Sequence, residues 1–217
     1  MRTQPSLFRL ILGTDIDRLA PALKQHYDVE PGEEIIVQGP MDAWNRVPWL
    51  RPAIPFMPAP GNAIPVYVRS VGGLRHAQPC FEWFREFHYT SGTQVSYTLT
   101  RTPPSSHTVP CVMDTFNQSP NIGVVQRLMI SDDGTTLKQV TYGPQYAIVG
   151  TRLLPLPALL HISSVAIEHA VDEHTIHTEV TVSHWLLGRM FGYSGTLTVG
   201  SHMGSPDSNR KGSDERL

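Results

Sequence analysis

Residues 79–102 read PCFEWFREFHYTSGTQVSYTLTRT. As two strands joined by a turn at Ser91-Gly92, the first sends Phe81, Trp83, Arg85, Phe87 and Tyr89 to one face. Cys80, Glu82, Phe84, Glu86 and His88 fall on the other, and the second strand groups Val95, Tyr97 and Leu99. The aromatic face is the one to bury, yet an arginine stands at its centre. An unpaired cation there costs several kcal/mol even after relaxation. Three arrangements relieve it. The side chain can snorkel to a wet mouth with its stem packed, pair with an internal carboxylate, or hold an anionic ligand through two parallel hydrogen bonds.

Period-two patterning extends outward from this hairpin. Ile64–Val71 is a strand followed by a turn at Gly72-Gly73, and strand-like runs recur through HTVPCVMDTF, GVVQRLMI, TLKQVTY, QYAIVGTRLL, HISSVAIEHAV, HTIHTEVTVS and YSGTLTV. Gly, Pro, Asp and Ser occupy the joints. Counting gives about nine or ten strands. No long helical pattern interrupts them. The fold is therefore mainly β, a curled antiparallel sheet or closed β-barrel of lipocalin-like or calycin-like architecture. A first strand, EEIIVQGPM, ends at Gly39-Pro40. Before it, Leu7, Leu10, Ile11, Ile16, Leu19 and Leu23 have helical spacing broken at Gly13, with Asp15 placed to cap the second helical run and Pro21 inside that run. These predict two short helices. The segment AWNRVPWLRPAIPFMPAPGN has too many prolines for a regular element, yet carries Trp44, Trp49, Leu50, Ile54, Phe56 and Met57. It covers one end of the core, as a plain apolar loop or as a lid over a ligand pocket.

Residues 1–199 read as one domain. The stretch 200–217, which lacks aromatic and β-branched residues and contains a GSHM vector-like scar, reads as a disordered tail. A net charge of −2 with no basic run excludes a dedicated nucleic-acid binder. Cys80 and Cys111 are too sparse for a disulfide scaffold, and no segment has membrane-spanning length or a signal-peptide core, so a cytoplasmic location is expected.

Four places resemble a bacterial family known as a domain of unknown function, sometimes fused behind a saccharopine-dehydrogenase-like reductase. They are the opening LILGTDIDRLAPALKQHY with Ala20 between Leu19 and Pro21, the strand around Trp83 and Arg85, GTRLLPLPALL at 150–160, and LLGRMFGYSGTL at 186–197. The resemblance implies a single domain and a reductase as a candidate partner. It brings no catalytic residues with it.

Metal chemistry lacks a ligand set. His169, His174 and His177 lie in a hairpin turning at Asp172-Glu173, whose expected register pairs Val171 with His174, His169 with Ile176 and Glu168 with His177. His169 and His177 then face opposite ways. His107, Cys111 and Asp114 are close in sequence only, and no phosphate cradle or dinucleotide fingerprint follows a strand, so no cofactor is expected. The leading expectation is a barrel cavity for a small, largely apolar ligand with a polar or acidic end. Phe81, Trp83, Phe87, Tyr97 and Leu99 would line it, Arg85 and Tyr89 would fix the polar end, and Trp49 and Phe56 would cover the mouth. A cofactor-independent isomerase, cyclase or dehydratase in the same cavity is the alternative, with Arg85, Tyr89 or Asp114 in catalysis. A structural or interaction domain partnering a reductase is the third reading, with a filled barrel.

Overall fold

A computed structural model describes residues 4–52, 54, 56–105, 107–116, 122–200 and 203–204. Its strands are β1 (Glu33–Asn45), β2 (Gly61–Arg75), β3 (Gln78–Tyr89), β4 (Gly92–Arg101), β5 (Cys111–Phe116), β6 (Ile122–Ile130), β7 (Thr136–Val149), β8 (Arg152–Pro155), β9 (Ile162–Ala170), β10 (Thr175–His184), β11 (Gly188–Val199) and β12 (Met203–Gly204). Ten of them form a closed antiparallel barrel, in which β11 returns to pair with β1. Closure leaves no sheet edge inside the ring. β8 hangs from β7 outside it. The expected disordered tail falls mostly outside the described residues; at 203–204, β12 pairs with Glu34 and Glu33.

Three boundaries differ from expectation, each for a local reason. β1 does not end at Gly39-Pro40. Its pairing to β11 skips these two residues, while pairing to β2 continues with Pro40 opposite Pro65. A missing N–H thus interrupts one ladder and spares the other. β2 runs through Gly72-Gly73 and turns at His76-Ala77, both at positive φ. Gly72 instead admits the chain entering β1: a Cβ there would lie 2.2 Å from the Glu30 carbonyl oxygen, and the Gly32 N–H donates to the Gly72 carbonyl at 2.9 Å. In the β9–β10 hairpin, the Val171 N–H donates to the Thr175 carbonyl at 2.8 Å, and Asp172 Oδ1 accepts from the His174 N–H at 2.8 Å. That Asx turn takes up one more residue than expected. The register becomes His169 opposite His177 and Glu168 opposite Thr178. The two histidines share a face after all, and Glu168 points inward.

The N-terminal segment plugs one end of the barrel. α1 (Leu7–Leu12) starts at Ser6, whose hydroxyl accepts from the Arg9 N–H at 3.1 Å. A 3-10 turn (Gly13–Arg18) follows, and α2 spans Pro21–Tyr27. Pro21 begins α2 rather than lying within it, where a missing amide hydrogen costs nothing. Asp15 sits in the 3-10 turn, and Ala20 precedes α2 without a side-chain cap. Phe8 meets Tyr27 and Phe81 edge to face, with centroids 4.7 and 5.3 Å apart. Leu12, Ile16, Leu23, Ile35, Val37, Leu137 and Ile176 complete this layer.

The described residues of the segment 46–60 fold across the opposite end. Val47, Leu50, Ile54, Phe56 and Met57 pack on Val182, Met190 and Phe191. Proline-rich chain offers few backbone donors, so side chains of the β3–β4 hairpin hold it. The Tyr89 hydroxyl donates to the Ala59 carbonyl at 2.7 Å, and Gln94 donates to the Met57 carbonyl at 2.8 Å while accepting from the Ala59 N–H at 3.1 Å.

Candidate functional site

Between plug and cover lies a cavity of about 100 Å3. Met41, Val66, Val68, Phe87, Val124, Val180 and Leu197 make its wall apolar. Into it project Arg85 from β3, Asp114 from β5, Glu168 from β9, Tyr193 from β11, and His26 and Tyr27 from α2.

Four adjacent strands build a relay around Asp114. Trp83 Nε1–H donates to Thr100 Oγ1 at 2.9 Å, and that hydroxyl donates to Asp114 Oδ1 at 2.6 Å. Gln126 Nε2 donates to Asp114 Oδ2 at 2.6 Å. Burial raises this carboxyl to about 6; the Thr100 bond and the Arg85 charge offset only part of the desolvation. Gln126 Oε1 is buried without a partner among the described residues.

Arg85 is half-buried on the cavity side of β3. Its Nη1 donates to Thr98 Oγ1 at 3.1 Å and its guanidinium lies 5.0 Å from the Trp83 ring centre, a cation–π distance. Among the described residues it forms no ion pair. It lines the cavity, where its charge and that of Asp114 act on each other at longer range.

A second polar group lies under α2. Glu168 Oε1 accepts from Thr178 Oγ1 at 3.3 Å, and Oε2 stands 3.7 Å from His26 Nε2. Burial pushes His26 down, and the opposing pull of Glu168 is smaller, so the imidazole is held neutral; its Nδ1 has no partner among the described residues. Tyr27 accepts from Gln139 Nε2 at 2.9 Å. Burial, then the Glu168 carboxylate, pushes its hydroxyl well up. Burial also raises Tyr193.

The residues chosen from sequence separate cleanly. Trp83, Arg85, Phe87, Asp114 and Phe56 line the cavity, Phe56 stacked on Phe116 at 4.5 Å. Phe81 is inward but lies beneath Phe8 in the plug. Tyr89 holds the cover. Tyr97 turns outward, donating to Glu82 Oε2 at 2.9 Å, and Leu99 shares its side of β4. The ladder dictates this: Arg85 stands opposite Ser96 and Trp83 opposite Thr98, so the even-numbered residues of β4 face inward. Trp49 lies outside, 66% exposed. His107, Cys111 and Asp114 do not meet; His107 bonds Ser105, and Cys111 packs with Met113 and Val125.

His26, Tyr27, Glu168 and Tyr193 were not singled out by sequence. His26 and Tyr27 end the opening stretch that carried the family resemblance, and Tyr193 lies in its last stretch, which was the available signal. Glu168 could be found only with the correct hairpin register. No group of three or more His, Cys, Asp or Glu placed to hold a metal occurs among the described residues, and none of their helices is long and apolar enough to cross a membrane.

No curated protein matches the chain. One family pattern does, over residues 19–197, covering the barrel, α2 and the Arg85–Asp114–Glu168 cavity. The chain belongs to the family described as domain of unknown function (DUF4166).

Proposed function

We propose that the barrel cavity binds a small, largely apolar molecule by a polar end. One observation carries this: an apolar cavity into which one guanidinium, two carboxyls and a neutral imidazole converge from β3, β5, β9 and α2. Such a wall with a few convergent polar groups is the usual form of a ligand site. The charges narrow the ligand. Asp114 and Glu168 already balance Arg85, so a further carboxylate meets net repulsion. A neutral carbonyl or hydroxyl suits the open donors of Arg85 and the unpartnered Gln126 Oε1 better. An open cavity also supports binding over the filled barrel of a purely structural domain.

Native mass spectrometry with organic extraction, beside titration with the neutral fluorophore N-phenyl-1-naphthylamine, tests the reading. A co-purifying molecule or saturable fluorescence is expected in the native protein and is expected to weaken about tenfold or more in Arg85→Met. Neither signal in the native protein would overturn it.

Asp114 favours a second reading, cofactor-independent proton transfer in the same cavity. Its carboxylate would take a proton from the carbon beside a carbonyl while Arg85 stabilises the enolate oxygen, then return it to another carbon. The net change is an isomerisation that needs no co-reactant. Deuterium from solvent should then enter the extracted ligand with the native protein and not with Asp114→Asn.

A further inference from the structure

The cover end of the barrel differs in surface chemistry from the plugged end. Trp49, Val149, Leu154, Leu159, Leu160, Trp185, Leu186 and Leu187 are all exposed there, between 38% and 67%. His184 Nε2 and Trp185 Nε1 both meet the Leu159 carbonyl, at 2.7 and 3.3 Å, and the Trp49 turn flanks Leu50 and Ile54, which pack on Met190 and Phe191. The same rim segments, 46–60, 150–161 and 184–189, contain Arg46, Arg51, Arg152 and Arg189 and no aspartate or glutamate. All four arginines are exposed, and none forms an ion pair among the described residues. Arg46 and Arg189 lie over the Trp44 ring at 5.5 and 5.7 Å. At the plugged end, the turns after β6 and β9 carry exposed Asp132, Asp133, Asp172 and Glu173, with exposed Arg18 and Arg75 at the same end.

A chain with a net charge of −2 thus places no acidic residue in these three rim segments, while acidic and basic side chains are mixed at the far end. Exposed indole and leucine side chains set among arginines are what an anionic bilayer surface receives: apolar tips enter the headgroup boundary and guanidiniums meet phosphates. We propose that this rim docks the barrel, mouth first, on an anionic lipid membrane. Phe56 and the segment bearing it then face the acyl boundary, and the acidic turns point to solvent.

Co-sedimentation of the full chain with phosphatidylcholine vesicles, with and without about 30% phosphatidylglycerol, tests this. Binding is expected only with the anionic lipid, with a blue shift in tryptophan emission and weakening as salt rises. Trp185→Ser/Leu186→Ser and Arg51→Glu/Arg189→Glu are each expected to cut binding about tenfold or more without altering circular dichroism, because these side chains are exposed. No binding to anionic vesicles overturns the proposal. So does vesicle binding that both variants retain, and so does a dimer or protein complex that buries this rim in the absence of lipid binding.

Discussion

The buried carboxyl of Asp114 is the residue whose environment has the clearest measurable consequence. Folding raises it from 3.8 to about 6, so between those values the folded chain holds a proton the unfolded chain has released. Stability from this group is present below the lower value and lost as pH rises through the upper one, on the order of 3 kcal/mol in all. Exposed Asp17 and Asp133, both lowered by hydrogen bonds, act in the opposite sense. The comparison must therefore be made between variants. Asp114→Asn, with Gln126 free to turn its amide, should remove the falling contribution, so that its stability relative to the native protein grows from pH 4 to 6. Urea unfolding across that range reads the difference; parallel curves would sink the assignment. Arg85, by contrast, makes among the described residues one hydrogen bond, to Thr98, and a cation–π contact with Trp83, so Arg85→Met should lose ligand far more than stability.

The cover shows how an element without regular structure is held. Proline at 48, 52, 55, 58 and 60 removes backbone donors from the segment, and Gln94 meets two of the backbone groups that remain. Gln94→Ala should free the Met57 carbonyl and the Ala59 amide, each bond worth about 1 kcal/mol. Hydrogen exchange at Ala59 should then speed by about tenfold, with the global unfolding midpoint nearly unmoved. A matching fall in global stability would instead make the segment an integral part of the core. A proline-rich cover was legible in the sequence because apolar residues in an irregular stretch need something to pack against. Which residues fasten it was not, because Tyr89 and Gln94 reach it from a hairpin 30 and 37 positions away from their partners.

For the whole molecule, the order along the barrel axis is plug, cavity, cover. Phe8 lies before the stretch that matches the family, yet it is fully buried between Tyr27 and Phe81. Phe8→Ala should cost about 3–5 kcal/mol, the usual toll for removing a core phenylalanine, and should loosen α2 with its His26 and Tyr27. Chemical denaturation checks the first part, and ligand or fluorophore affinity the second. A cost under about 1 kcal/mol would mean that the plug is not part of the cooperative unit. The cationic rim belongs to this scale too, because it arises from three loops brought together by barrel closure.

Alternation along β3 determined that the chain makes a β-sheet with Trp83, Arg85 and Phe87 on one buried face, since strand geometry is local and period two needs only neighbouring residues. The strand count and proline placement determined a closed or curled barrel with an irregular cover for the same reason. Tertiary structure alone decided which face of β4 joined them and where Glu168 points. A shift of one residue exchanges every side chain between faces, and turn detail sets that register. It also decided that His26, Arg85, Asp114 and Glu168 meet. These residues come from α2, β3, β5 and β9, elements far apart along the chain, and only closure of the ring with a helix in its end places them around one cavity.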